Sequence, residues 1–142
     1  EDRVVLVRQY RHPFAEHLWE LPAGLRDADG EPPLETAKRE LAEEALLSAA
    51  RWSLLATTYN SPGFSDEKVL VYLAEGLSDV ERPAGFVVEH EELDMTVERV
   101  PLDDAVQWVF DGVVRNGIAV VGLLGVAQAR STSARLRPAD AS

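Results

Sequence analysis

The apolar residues open the chain as an unbroken run, Val4-Val5-Leu6-Val7, inside the segment Arg3 to Tyr10. A continuous apolar run of that length is the pattern of a strand covered on both faces. Shorter apolar stretches bounded by turn formers predict further strands at Leu18–Leu21, Trp52–Tyr59, Val69–Ala74 and Met95–Pro101. Between Pro33 and Ala50 the period becomes helical. With each residue turning about 100°, Leu34, Ala37, Leu41 and Ala45 fall within roughly 80° of arc and form a buried stripe. Pro32 and Pro33 stand where such a helix opens, and neither glycine nor proline interrupts it. A second helix is expected from Pro101 to about Val114, with Asp103 and Asp104 at its positive end. A third begins near Asn116 and carries the apolar residues Ile118 to Ala127. Arg130-Ser131-Thr132-Ser133 then leads into a polar tail expected to be loosely ordered, so the domain is drawn over residues 1–130 and the tail over 131–142. Strands with helices on both sides make an α/β or α+β sandwich.

The polar side of the first helix carries the chemistry. Counted from Leu34, Glu43, Glu40 and Glu44 sit at about 180°, 240° and 280°, on the side away from the apolar stripe. Arg39 lies four residues before Glu43, where its guanidinium can hold that carboxylate in one rotamer and leave the others free to coordinate. Glu40 and Glu44 share the same spacing, and a divalent cation would relieve their repulsion. Oxygen-only ligands favour Mg²⁺, or Mn²⁺, over zinc. An acidic helix face is more often plain solvated surface, so the spacing of the wider segment has to decide. A calcium loop at Asp27-Ala28-Asp29-Gly30 is ruled out, because it would place Leu25 and Thr36 where an acid and a bidentate glutamate are needed. That stretch is read as a turn.

Composition narrows the partners. The 142 residues, 46% hydrophobic and 27% charged, suit one domain with a sizeable core. A net charge of −11 argues against nucleic acid or an anionic membrane as partner, and it requires an anionic substrate to be bridged by metal. There is no cysteine. The longest apolar run, Ile118 to Ala127, is too short to span a bilayer, and the cytoplasm is the expected location. The chain does not begin with methionine and is expected to be part of a longer product.

The segment from Gly24 to Leu47 resembles the Nudix box, G-x5-E-x7-R-E-U-x-E-E-x-G-U with U aliphatic. Gly24, Glu31, Arg39, Glu40, Leu41, Glu43, Glu44 and Leu47 match it in order. Two positions depart from the pattern. Six residues separate Gly24 from Glu31, and Leu46 stands where the family has its second glycine. The expectation is that the helix runs on through Leu47-Ser48-Ala49-Ala50. The resemblance implies an α/β/α sandwich with a mixed β-sheet, and a Mg²⁺-dependent pyrophosphohydrolase. It also implies that Glu40, Glu44, Glu43 and the Ala23 carbonyl are the metal ligands, with Arg39 as the residue that fixes Glu43.

Further matches point to the ADP-ribose pyrophosphatases of that family. Pro62, sixteen residues past the second glycine position and followed by Gly63 and Phe64, stands where ADP-ribose hydrolases typically have a proline. Read alone, it is a Pro-Gly turn. Arg8-Gln9-Tyr10-Arg11 and Glu20-Leu21-Pro22-Ala23-Gly24 also look like the family's. On that resemblance Arg11, Glu20, Pro62, Gly63, Phe64 and Glu67 are expected at the substrate. The general base is expected on Glu89-His90-Glu91-Glu92-Leu93-Asp94-Met95, at Glu92 first and Glu91 next. Related enzymes are homodimers whose N-terminal segment, absent from this sequence, grips the adenosine across the interface. His12 and His17 lack metal-ligand spacing, and Trp19, Trp52 and Trp108 are read as core or interface aromatics. Two alternatives stay open. One is a Nudix hydrolase for another nucleotide sugar or a dinucleotide, and the other is a Nudix-like sensor that binds its ligand without cleaving it.

Overall fold

A computed structural model of the chain describes residues 2–26, 30–81 and 95–141. Strand β1 (Arg3–Arg11) reaches a short 3₁₀ turn at His12–Phe14 and returns as β2 (Glu16–Glu20). Helix α1 (Pro33–Ala45) leads into the long hairpin of β3 (Leu47–Tyr59) and β4 (Lys68–Asp79). After β5 (Thr96–Pro101) come α2 (Leu102–Phe110), α3 (Gly117–Thr132) and the two-residue β6 (Arg137–Pro138). The strands form sheets ordered β2-β1-β5 and β4-β3-β6. Every pairing among the described residues is antiparallel, in place of the mixed sheet expected.

The apolar run of β1 behaves as its pattern demands. Leu6 and Val7 are buried at the centre of the first sheet, and Leu6 joins Val100, Leu102, Ala105, Val114, Ala119, Leu123 and Val126 in the main core. The Leu102 N–H bonds the carbonyl of Asp2 at 2.9 Å, fastening α2 to the start of β1. Helix α3 begins next to Asn116 as expected, and Asn116 caps it, its side chain accepting from the Ala119 N–H at 2.9 Å. Gly122 on α3 is buried, and a Cβ there would stand 2.7 Å from Leu21 Cδ1. The missing side chain therefore lets the segment after β2 lie close against α3, which positions the loop that follows.

The ends of α1 and α2 and the tail differ from expectation. Helix α1 ends at Ala45, not Ala50, because Leu46 takes the left-handed conformation (φ 55°, ψ 45°) and gives its N–H to Ala42 at 3.1 Å. Leu47, Ser48 and Ala49 then pair with Asp79, Ser78 and Leu77, burying Leu47 to 2% exposure. Sheet pairing wins there over the helix propensity of an Ala/Ser/Leu stretch. Helix α2 stops at Phe110 in a turn through Gly112 (φ 76°), which brings Val114 into the core. The polar tail is placed too. Arg137 and Pro138 pair with Leu54 and Ser53, and Arg137 Nη2 donates to Thr57 Oγ1 at 2.8 Å.

Candidate active site

The acidic side of α1 is organised around Arg39. Its Nη2 and Nε donate to Glu31 Oε1 and Oε2 at 3.1 and 3.4 Å, while Nη1 reaches Glu40 Oε1 at 3.1 Å and Glu43 Oε2 at 3.3 Å. The predicted pairing of Arg39 with Glu43 is therefore one arm of a four-residue cluster. The hydrogen bonds from Arg39, and then from Thr36, hold the Glu31 carboxyl below the usual carboxylate range. The same contact with Glu31 raises Arg39 further above its already high value, so its charge is permanent.

Glu44 turns instead to the loop after β2. Its Oε2 accepts the N–H of Ala23 at 2.9 Å. At the next residue a Cβ on Gly24 would overlap the Glu40 carboxyl. The glycine is thus required by close approach, and Glu40 and Glu44 both flank the Ala23-Gly24 backbone along one open cleft.

In the same cleft Arg11 grips Glu20 through two bonds, Nε to Oε2 at 2.8 Å and Nη2 to Oε1 at 2.7 Å. Glu20 is 5% exposed, so this bidentate pair satisfies an otherwise costly buried carboxylate. Asn60, Ser61 and Glu67 line the cleft from the β3–β4 hairpin, where Asn60 Nδ2 donates to Glu67 Oε1 at 2.8 Å. Sequence reasoning passed over Asn60 and Ser61, although a polar pair just before a Pro-Gly turn signals a shaped hairpin end. Pro62, Gly63 and Phe64 form the exposed tip of that hairpin and do not line the cleft, with Phe64 89% exposed. Glu91 and Glu92 lie outside the described residues. Trp19 and Trp108 meet at 5.4 Å between ring centroids, tilted by 38°, and pack against the core, one of the two places expected for them.

Among the described residues no ready-made group of three or more His, Cys, Asp or Glu side chains is found that could hold a metal. Two carboxylates flanking a backbone cradle that a Cβ would fill still suit an oxygen-loving cation. Mg²⁺ in particular commonly keeps waters and substrate oxygens in its shell and uses few side chains.

Residues 1–117 match the NUDIX domain. The chain belongs to the Nudix family. It is 47% identical over 137 residues to an ADP-ribose pyrophosphatase of Mycobacterium tuberculosis, covering 96% of this chain and 65% of that protein. It is 36% identical over 123 residues to a methanol dehydrogenase activator of Bacillus methanolicus, covering 87% of this chain and 64% of that protein. The chain thus spans less than two thirds of the length of both relatives. A crystal structure of an ADP compounds hydrolase superposes with a TM-score of 0.79 at 24% identity, over 95% of this chain and 70% of that one, which shows the shared fold. Nudix hydrolases generally need a divalent metal. None of the described helices is long and apolar enough to cross a membrane.

Proposed function

We propose that the protein hydrolyses the diphosphate of ADP-ribose, or of a close nucleoside diphosphate sugar, with Mg²⁺ (or Mn²⁺), giving AMP and ribose 5-phosphate from ADP-ribose. The observation that carries this reading is the approach of Glu40 and Glu44 to the Ala23-Gly24 backbone, in a cleft that the Arg11–Glu20 pair also lines. The likeness to an ADP-ribose pyrophosphatase supports the choice of substrate.

Glu40, Glu44, Glu43 and the Ala23 carbonyl would hold the ion. When bound, it would neutralise the diphosphate and make the attacking water more acidic. Arg39 steadies Glu40 and Glu43 so that neither has to reorganise during the reaction. Arg11, held in its fork by Glu20, offers a cation to the substrate's anionic oxygens, and the family resemblance assigns Glu67 and the Pro62-Gly63-Phe64 tip to substrate contact as well. Glu92, or Glu91 beside it, accepts the proton of the attacking water. A homodimer in the cytoplasm completes the proposal, the exposed aromatics Phe14 and Tyr59 offering apolar surface to a second copy.

The test is product analysis with ADP-ribose and a panel of other nucleoside diphosphate sugars, with Mg²⁺ and with chelator. AMP release from ADP-ribose that stops on chelation is expected. Binding of ADP-ribose without turnover at saturating Mg²⁺ would replace this reading with a ligand sensor.

A further inference from the structure

Among the described residues Thr36 and Glu20 are the buried polar residues, and Thr36 is 3% exposed. Its position on α1 makes that burial unexpected. Counted from Leu34 it falls at about 200°, between Glu43 and Glu40 and far around the helix from the apolar stripe.

Its hydroxyl has one proton and two acceptors in reach, Glu31 Oε1 at 2.8 Å and the Pro32 carbonyl at 3.5 Å. The short bond to a carboxylate takes the proton. Glu31 Oε1 is also the atom that accepts Arg39 Nη2, so the hydroxyl and the guanidinium fix that carboxyl from two sides. Because Arg39 spends its Nε and Nη2 on Glu31, it is Nη1 that meets Glu40 and Glu43. A planar guanidinium has no freedom to turn one edge without turning the other.

We propose that Thr36 is a positioning residue, whose hydroxyl locks Glu31 so that Arg39 holds Glu40 and Glu43 in the arrangement that receives the divalent ion. The inference rests on the metal-dependent reading above. Without the hydroxyl, the Glu31 carboxyl gains rotational freedom, the guanidinium follows it, and the two glutamates lose their common anchor.

Mn²⁺ serves as the probe, its binding measured by calorimetry in the absence of substrate, next to ADP-ribose turnover. Wild type binds Mn²⁺. Thr36→Val, with the same shape and no hydroxyl, weakens binding by about tenfold, the low end for loss of a partner that orients a metal ligand. Thr36→Ser restores the wild-type affinity, and Thr36→Val together with Glu31→Gln binds no more weakly than Glu31→Gln alone. Equal Mn²⁺ affinity in Thr36→Val and wild type overturns the proposal. So does failure of Thr36→Ser alongside Thr36→Val, or additive losses in the double variant. If Thr36→Val does not fold, Thr36→Ala gives the same comparison. Wild type that binds Mn²⁺ but turns over no diphosphate sinks the hydrolase reading and leaves the role of Thr36 to the binding data. Turnover with Thr36→Val binding Mn²⁺ normally does the reverse.

Discussion

Glu44 Oε2 accepts the backbone N–H of Ala23 at 2.9 Å, so the last turn of α1 is tied to the loop after β2 by the side chain expected to hold metal. Glu44→Gln keeps a carbonyl oxygen for that N–H and removes the charge. Turnover of ADP-ribose is expected to fall by about 10² or more, the scale on which removing an electrostatic contact to the reacting centre acts, while the melting temperature stays the same or rises. Wild-type turnover in Glu44→Gln removes this residue from the site.

Gly24→Ala adds a methyl where the Glu40 carboxyl lies. The glutamate must swing away from the Ala23-Gly24 backbone. Gly24 is exposed, so the fold has little to lose. We expect activity at fixed Mg²⁺ to drop by about 10- to 100-fold, partly recovered at high Mg²⁺, with an unchanged far-ultraviolet spectrum. A Mg²⁺ activation curve that does not move rules out the close approach as a functional constraint.

Glu31 is held below its ordinary value of 4.5, by Arg39 first and Thr36 second. A carboxyl depressed in the folded state contributes stability above its unfolded value and loses it as pH falls through the folded one. Urea unfolding of wild type and Glu31→Gln should therefore differ at pH 7, and the difference should close only below about pH 4.5. A gap that persists unchanged through that range, down to strongly acid pH, contradicts the assignment.

Leu46 occupies the left-handed region at φ 55°, a conformation that costs a residue with a Cβ about 1–2 kcal/mol. Its side chain is half-buried, so Leu46→Gly removes a favourable contact of similar size along with the strain. Near-neutral stability, within about 1 kcal/mol of wild type, is the expected result from denaturant titration. A loss well beyond that would show that Leu46 packing outweighs its backbone cost.

What the sequence made legible was whatever depends on spacing. The run Val4 to Val7 gave a buried strand, Asn116 marked the start of a helix, and the four-residue interval from Arg39 to Glu43 set two residues in contact. The end of α1 was not legible, because Leu46 to Ala50 have helical propensity and their strand partners lie some thirty residues downstream at Leu77 to Asp79. Thr36 was hidden for a related reason. It sits on the polar side of the helix, where its burial and its bond to Glu31 have no signal in the apolar period. The Arg11–Glu20 pair joins two strands across a turn, and although both residues were expected at the substrate, nothing in their spacing announced that they hold each other.

The brief pairing of Arg137 and Pro138 with β3 has a bearing on solubility. A long strand with a bare outer rim recruits strands from other molecules, and natural sheets blunt such rims with short segments, cations and prolines. All of these meet here in a two-residue patch laid against Ser53 and Leu54, the latter 1% exposed. Removing the residues after Ser133 would uncover this rim, and the first symptom expected is self-association on concentration, ahead of any change at the cleft.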